Sequence, residues 1–155
     1  MVDQYRYPYL DSSAYIAWIK HEIVDSVDRH TIISHILRCA EDGEFRIGNS
    51  TLTIAEVHRL RGATPLNAAQ DEAILAFFEH DYLDFVDVDR NIAEHANRLC
   101  RELNVYPNDA IHIASAIRLG CDVLLAWDRR LTSVIHPGIR IEAPRILGQG
   151  RLQGT

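Results

Sequence analysis

Lysine is almost missing from this chain: the sixteen basic residues are Lys20 and fifteen arginines. Ile19 precedes that lysine where a Walker A loop needs glycine, so a P-loop cradle for nucleoside triphosphates is excluded. There is also no G-x-G-x-x-G turn for a dinucleotide and no G-x-S-x-G elbow for a serine hydrolase. Cysteine is scarce. Cys39, Cys100 and Cys121 are odd in number and far apart, which fits neither a disulfide framework nor paired C-x-x-C zinc knuckles and suits a reducing compartment. His35 and Cys39 stand at i, i+4, but no second pair completes a zinc site. No apolar run approaches 18 residues, and residues 1–10 have no apolar core of signal-peptide length, so neither membrane spanning nor secretion is expected. The expected location is the cytoplasm.

Positive charge is also in deficit. Sixteen basic against 22 acidic residues give −6, which argues against holding nucleic acid through bulk charge. From Arg129 onward the balance reverses: five arginines face one acid, Glu142, for a local 5 − 1 = +4 that suits either phosphate contacts or a solvated tail.

What remains is an ordinary globular composition. With 155 residues, 47% of them hydrophobic, the chain suits one domain that buries roughly 68 to 70% of its unfolded surface. Residues 9–10 read as a short strand running through Asp11 into a helix. Ile32, Ile33, Ile36, Leu37 and Ala40 share a helical face that stops at Gly43, and residues 45–47 suggest a second strand. Helical spacing restarts at Thr53, and another helix spans 73–78. Phe85, Val86 and Val88 mark a third strand, and Asp89 is placed to cap the next helix. That helix carries Ile92, Ala96, Leu99 and Leu103 and ends near Asn104. Asp109 opens its successor, Gly120 closes it, and 123–126 is a nearly pure apolar strand. Ile139 and Ile141 suggest a last edge strand. Short strands separated by helices demand crossovers, so the expected fold is α/β: a three-layer α/β/α sandwich with a mainly parallel central sheet.

In such sheets ligands bind beyond the carboxyl ends of the strands. Four acids fall there: Asp11, Glu56, Asp109 and Asp128. Each has a structural explanation as well. Glu56 completes a Thr53-x-x-Glu56 capping box, Asp109 complements a helix N-terminus, and Asp11 and Asp128 can shape turns. If the four converge, two charges about 4 Å apart repel by about 4 kcal/mol at an effective dielectric of 20, so the cluster must protonate or hold a cation. Oxygen-only donors favour Mg²⁺ or Mn²⁺ over zinc, and such ions serve phosphodiester hydrolysis.

The segments Tyr9-Leu10-Asp11-Ser12-Ser13-Ala14, Ser50-Thr51-Leu52-Thr53-Ile54-Ala55-Glu56-Val57, Asn108-Asp109-Ala110-Ile111-His112-Ile113-Ala114-Ser115-Ala116 and Leu124-Leu125-Ala126-Trp127-Asp128-Arg129-Arg130-Leu131 resemble the four ordered blocks of the PIN-domain family. The likeness is to small members of the VapC toxin type. It implies a PIN-like nuclease domain over residues 1–142 with a tail at 143–155. It also implies a Mg²⁺- or Mn²⁺-dependent endoribonuclease in which Asp11 and Asp109 are central metal ligands and Glu56 and Asp128 complete the catalytic pocket. A homodimer and a small antitoxin partner are further implications. One position departs: Ala126 stands where many members carry Ser or Thr.

Other readings stay in view. A haloacid-dehalogenase-like phosphotransferase needs a second Asp two residues after Asp11, and Ser13 occupies that place. A catalytically silent PIN-like module that binds RNA or protein is the alternative function. His112, one turn after Asp109, reads as a packed core histidine rather than a general base. Trp127 reads as core rather than as a ring stacked near the site, and Phe77, Phe78, Tyr82 and Leu83 read as core or ordinary exposed residues rather than as a partner surface.

Overall fold

Three apolar residues make too short a strand to stand alone, and β1 (Pro8–Leu10) is fully buried at the centre of the molecule. The computed structural model describes residues 4–148. After β1 come α1 (Ser12–Ile19), a hairpin of β2 (Ile23–Val24) and β3 (Val27–Asp28), α2 (Arg29–Glu41), β4 (Ile47–Ser50), α3 (Thr51–Glu56) and α4 (Ala68–Phe77). The chain continues through β5 (Leu83–Val86), α5 (Arg90–Leu103), α6 (Pro107–Leu119), β6 (Val123–Leu125), α7 (Arg129–Thr132) and β7 (Arg140–Glu142). Five strands form one sheet in the order β5-β4-β1-β6-β7, and every neighbouring pair is parallel. The expected three-layer sandwich is the observed one.

Strand side chains alternate between two cores, as a period of two requires. Leu10, Val123 and Leu125 enter the larger core with Tyr15 of α1, Ile33 and Ile36 of α2, and Ile74 of α4. Tyr9 and Leu124 point the other way, to Ile92 and Leu99 of α5 and Ile113 of α6. Both faces of the sheet are therefore dry, which explains why β1 and β6 read as unbroken apolar runs.

Gly48 of β4 has no room for a side chain. A Cβ there would lie 2.5 Å from Cys121 Sγ and 3.0 Å from Leu119 Cδ1. Gly48→Ala should therefore destabilise the fold by about 1 to 3 kcal/mol through overpacking. Urea or thermal denaturation checks this, and an unchanged midpoint would contradict the packing described.

Several boundaries differ from the sequence expectation. The second strand is 47–50 rather than 45–47, because buried Asn49 is satisfied by the Tyr15 hydroxyl and by the carbonyls of Ile47 and Asp84. The third is Leu83–Val86, leaving Val88 outside. Asp89 does cap α5, and Asn104 and Gly120 end α5 and α6 in the left-handed conformation. Leu147 packs on the larger core and Arg145 lies over Tyr5, so the start of the expected loose tail contacts the domain. Residues 149–155 of that tail lie outside the described residues.

The topology also positions a crevice. From β1 the chain proceeds outward to β4 and β5, then returns to β6 on the opposite side of β1. α1 follows β1 onto the larger-core face, whereas α7 follows β6 and sends Leu131 into the other core. Adjacent strands whose connections leave to opposite faces open a cleft at their carboxyl ends, the usual place for a ligand in this architecture.

Candidate active site

A groove of about 720 Å³ opens at that place, and Asp11, Glu56, Asp109 and Asp128 all line it. They arrive from four elements. Asp11 follows β1 and caps α1, accepting from the backbone N–H of Ala14 (3.3 Å) and the hydroxyl of Ser13 (2.7 Å). Asp109 lies in the first turn of α6, and Asp128 caps α7 through the N–H of Arg130 at 2.9 Å. Asp109 has the helix-start role expected of it, whereas Asp11 and Asp128 are N-caps rather than turn-shaping residues, and all three still line the groove.

Glu56 departs from its expected capping role. Ser50 is the residue that caps α3, through the N–H of Leu52, and Glu56 stands at the far end of that helix. Its Oε1 accepts from Ser12 Oγ and meets His112 Nε2, each at 2.7 Å. Asn108 Nδ2 reaches Oε2 at 3.5 Å. His112, 3% exposed, places its Nδ1 2.7 Å from the Tyr9 hydroxyl. It is a core histidine, as expected, and also the side chain that orients Glu56. His112, Ser12 and Tyr9 are the supporting residues that sequence reasoning missed. The available signal was the placement of Ser12 beside Asp11 and of His112 one turn from Asp109.

The electrostatics separate the acids into two kinds. Burial raises the Asp11 carboxyl, with His112, Ser13 and the Ala14 N–H acting the other way. Burial also raises Asp109, aided by Asp128 and Asp11 and opposed by His112 and Arg130. No hydrogen bond satisfies the Asp109 carboxylate among the described residues. Burial pushes Glu56 up too, but hydrogen bonds and charge from His112, with Ser12 and Asn108, outweigh it and hold Glu56 below its ordinary range. Hydrogen bonding to Arg130 lowers Asp128 against a smaller effect of burial. Thus in Glu56 and Asp128 protein partners outweigh burial, while in Asp11 burial outweighs its two hydrogen bonds and in Asp109 it meets none among the described residues.

Oxygen donors of this kind fit a hard divalent ion, and the unpartnered, half-buried Asp109 carboxylate is the observation that fits best. Among the described residues no three His, Cys, Asp or Glu side chains gather closely enough to hold an ion as they stand. Glu56 turns to His112 and Asp128 turns to Arg130. Trp127 packs on the larger core, with the Arg29 guanidinium 4.5 Å from its ring centroid.

Residues 9–136 match the family model described as PIN domain. The chain belongs to the PIN domain family. Among similar proteins are Ribonuclease VapC45 and Ribonuclease VapC49 of Mycobacterium tuberculosis (strains CDC 1551 / Oshkosh and ATCC 25618 / H37Rv). Each is 29% identical over 136 residues, covering 83% of this chain and 88% of the relative. This PIN chain is thus a distant homologue of VapC ribonucleases. Solved structures agree on the fold. DNA-bound VapBC from Salmonella typhimurium is 25% identical with a TM-score of 0.59, covering 89% of this chain and 98% of that one. A toxin-antitoxin complex from Klebsiella pneumoniae is 18% identical with a TM-score of 0.61, covering 85% and 94%.

Proposed function

We propose that this chain is a Mg²⁺- or Mn²⁺-dependent endoribonuclease that hydrolyses RNA phosphodiester bonds as the toxin of a toxin-antitoxin pair. The observation that carries the reading is the meeting of four acids from four elements in one groove, two of them with carboxyls raised by burial. The distant VapC ribonuclease relatives supply the substrate class. In this reading Asp11 and Asp109 are the central ligands, and Glu56 and Asp128 complete the site directly or through water. Bound there, the ion supplies an activated water and stabilises charge on the phosphodiester.

The protein's own groups do the positioning. Ser12, His112 and Asn108 fix Glu56 as an ionised acceptor at the groove wall. Arg61 and Arg130, on the rim, offer guanidinium groups to phosphate oxygens. A small antitoxin covering the groove is supported by the solved neighbours, several of which are toxin-antitoxin or VapBC complexes. A homodimer and a cytoplasmic location belong to the same reading. The three cysteines are unpaired, and Cys39 and Cys121 have thiols pushed up to about 12 by burial. Among the described residues no helix is long and apolar enough to cross a membrane.

The test is purified full-length chain on total RNA. Cleavage should require Mg²⁺ or Mn²⁺, stop with chelator and be lost in Asp11→Asn. Chelator-resistant cleavage that survives in that variant would remove the reading. The engagement of Glu56 and Asp128 by protein partners favours one second reading, a catalytically silent RNA- or protein-binding module. RNA binding without cleavage at any ion concentration would select it.

A further inference from the structure

Beside the acidic groove lies a second cavity of about 270 Å³, lined by Asn104, Val105, Tyr106 and Arg130. Tyr106 and Arg130 also line the groove, so the two spaces meet at this pair. The Tyr106 side chain belongs to neither core and is 60% exposed. The Arg130 guanidinium lies over its ring at 5.0 Å from the centroid.

The platform is held in place by local backbone chemistry. Pro107 confines the residue before it to extended conformation, and Tyr106 has φ −73° and ψ 154°. Asn104 ends α5 in the left-handed conformation two residues earlier. Arg130 directs Nε and Nη2 to Asp128, at 2.9 to 3.4 Å. That arrangement leaves Nη1 without a partner among the described residues, on a guanidinium already fixed by its other edge. A preformed aromatic face beside a docked cation loses little freedom when a ligand arrives.

We propose that Tyr106 and Arg130 form a nucleotide subsite: a base of single-stranded RNA flanking the scissile phosphate stacks on Tyr106 in the smaller cavity, and Arg130 Nη1 binds phosphate at the junction. The assignment rests on the ribonuclease reading for the position of that phosphate. The cavity, about 270 Å³, is large enough to admit one planar base. A base inside a duplex has no free face to offer, so the subsite selects unpaired strands. Asn104 lines the same cavity, and an amide side chain carries both donors and an acceptor for a base edge.

The experiment uses the full chain carrying Asp109→Asn, so that RNA is not consumed, and a fluorescein-labelled single-stranded RNA oligonucleotide read by anisotropy. Adding Tyr106→Ala should weaken binding about tenfold or more, whereas Tyr106→Phe should retain it. Adding Arg130→Gln should reduce the salt dependence by about one phosphate contact. Equal affinities for the Ala and Phe variants, or no RNA binding at all, would overturn the subsite. In parallel, chains with Asp109 intact are given total RNA and the fragment ends are mapped. Tyr106→Ala should cut at a different distribution of sites while remaining chelator-sensitive. Tyr106-dependent binding without any cutting removes the ribonuclease reading and leaves a binding subsite. Cutting whose sites and affinity ignore Tyr106 removes the subsite and leaves the ribonuclease.

Discussion

Asp109→Asn should melt above the wild type in metal-free buffer at neutral pH, below it in saturating Mn²⁺, and lose RNA cleavage. The first effect follows from burial. Asp109 has its carboxyl raised by desolvation and by neighbouring Asp128 and Asp11, with no hydrogen bond among the described residues to offset the cost of ionisation. A raised folded pKa means the native state binds its proton more tightly than the unfolded chain, so this group's contribution falls as pH rises from the ordinary aspartate value, 3.8, through the raised one. Above that window the ionised group opposes folding, and the amide removes the penalty. The melting advantage of Asp109→Asn should therefore be present at neutral pH and vanish below pH 3.8. Mn²⁺ reverses the order because ligand binding to the native state stabilises it, by about 2.7 kcal/mol at 100 times Kd. For cleavage, loss of even an outer partner of a metal site costs about 10 to 100-fold, so loss of a central ligand should cost at least about 100-fold. Melting curves with and without Mn²⁺, beside a cleavage assay, read all three. A variant that melts below wild type in metal-free buffer would contradict the uncompensated burial of Asp109.

Such a trade between stability and activity is the expected signature of a site kept for function, and part of it is legible in the sequence. Asp11, Asp109 and Asp128 occupy helix starts that the residue pattern marks, because the strands before Asp11 and Asp128 are pure apolar runs and Gly120 punctuates the end of α6. The layers are legible for the same reason, since β1 and β6 are buried on both faces. The β2–β3 hairpin is not. Its turn residues Asp25 and Ser26 take φ of 50° and 65°, a conformation that Asn-Gly or Asp-Gly normally announces. Strand β4 is disguised by Asn49 and Ser50, whose burial is tolerated through Tyr15 and Asp84, distant in sequence, and through the Ile47 carbonyl and the start of α3. Glu56 fits the local Thr53-x-x-Glu56 pattern, yet the partners that position it lie 44 and 56 residues away. Periodicity reports which face of an element is dry. It carries no information on which polar groups meet across elements.

That cross-element contact sets up the second large effect: His112→Ala should cost about 2 to 5 kcal/mol of stability. The imidazole joins a fully buried hydroxyl to a part-buried carboxylate at the groove wall. Tyr9 is fully buried, and its hydroxyl has His112 Nδ1 as a partner at 2.7 Å. Glu56 Oε1 has His112 Nε2 at 2.7 Å. Truncation strands the Tyr9 hydroxyl, removes a partner of Glu56 and opens a cavity against the Tyr9 ring. Tyr9→Phe, which deletes only the hydroxyl, should cost about 1 to 2 kcal/mol. Glu56→Gln tests the other end of the chain of contacts, and its pH dependence runs opposite to that of Asp109→Asn. Glu56 is held below its ordinary value, so the native state binds this proton less tightly than the unfolded chain. Its contribution is complete above the ordinary glutamate value, 4.5, and is lost as pH falls through the lowered folded value. The deficit of Glu56→Gln relative to wild type should therefore be largest at neutral pH and shrink on acidification, where the advantage of Asp109→Asn also disappears. Urea denaturation at pH 7 and pH 4 of the three variants measures these differences. If His112→Ala unfolds at the wild-type midpoint, the Tyr9–His112–Glu56 connection contributes nothing to the fold, and the positioning of Glu56 by His112 falls with it.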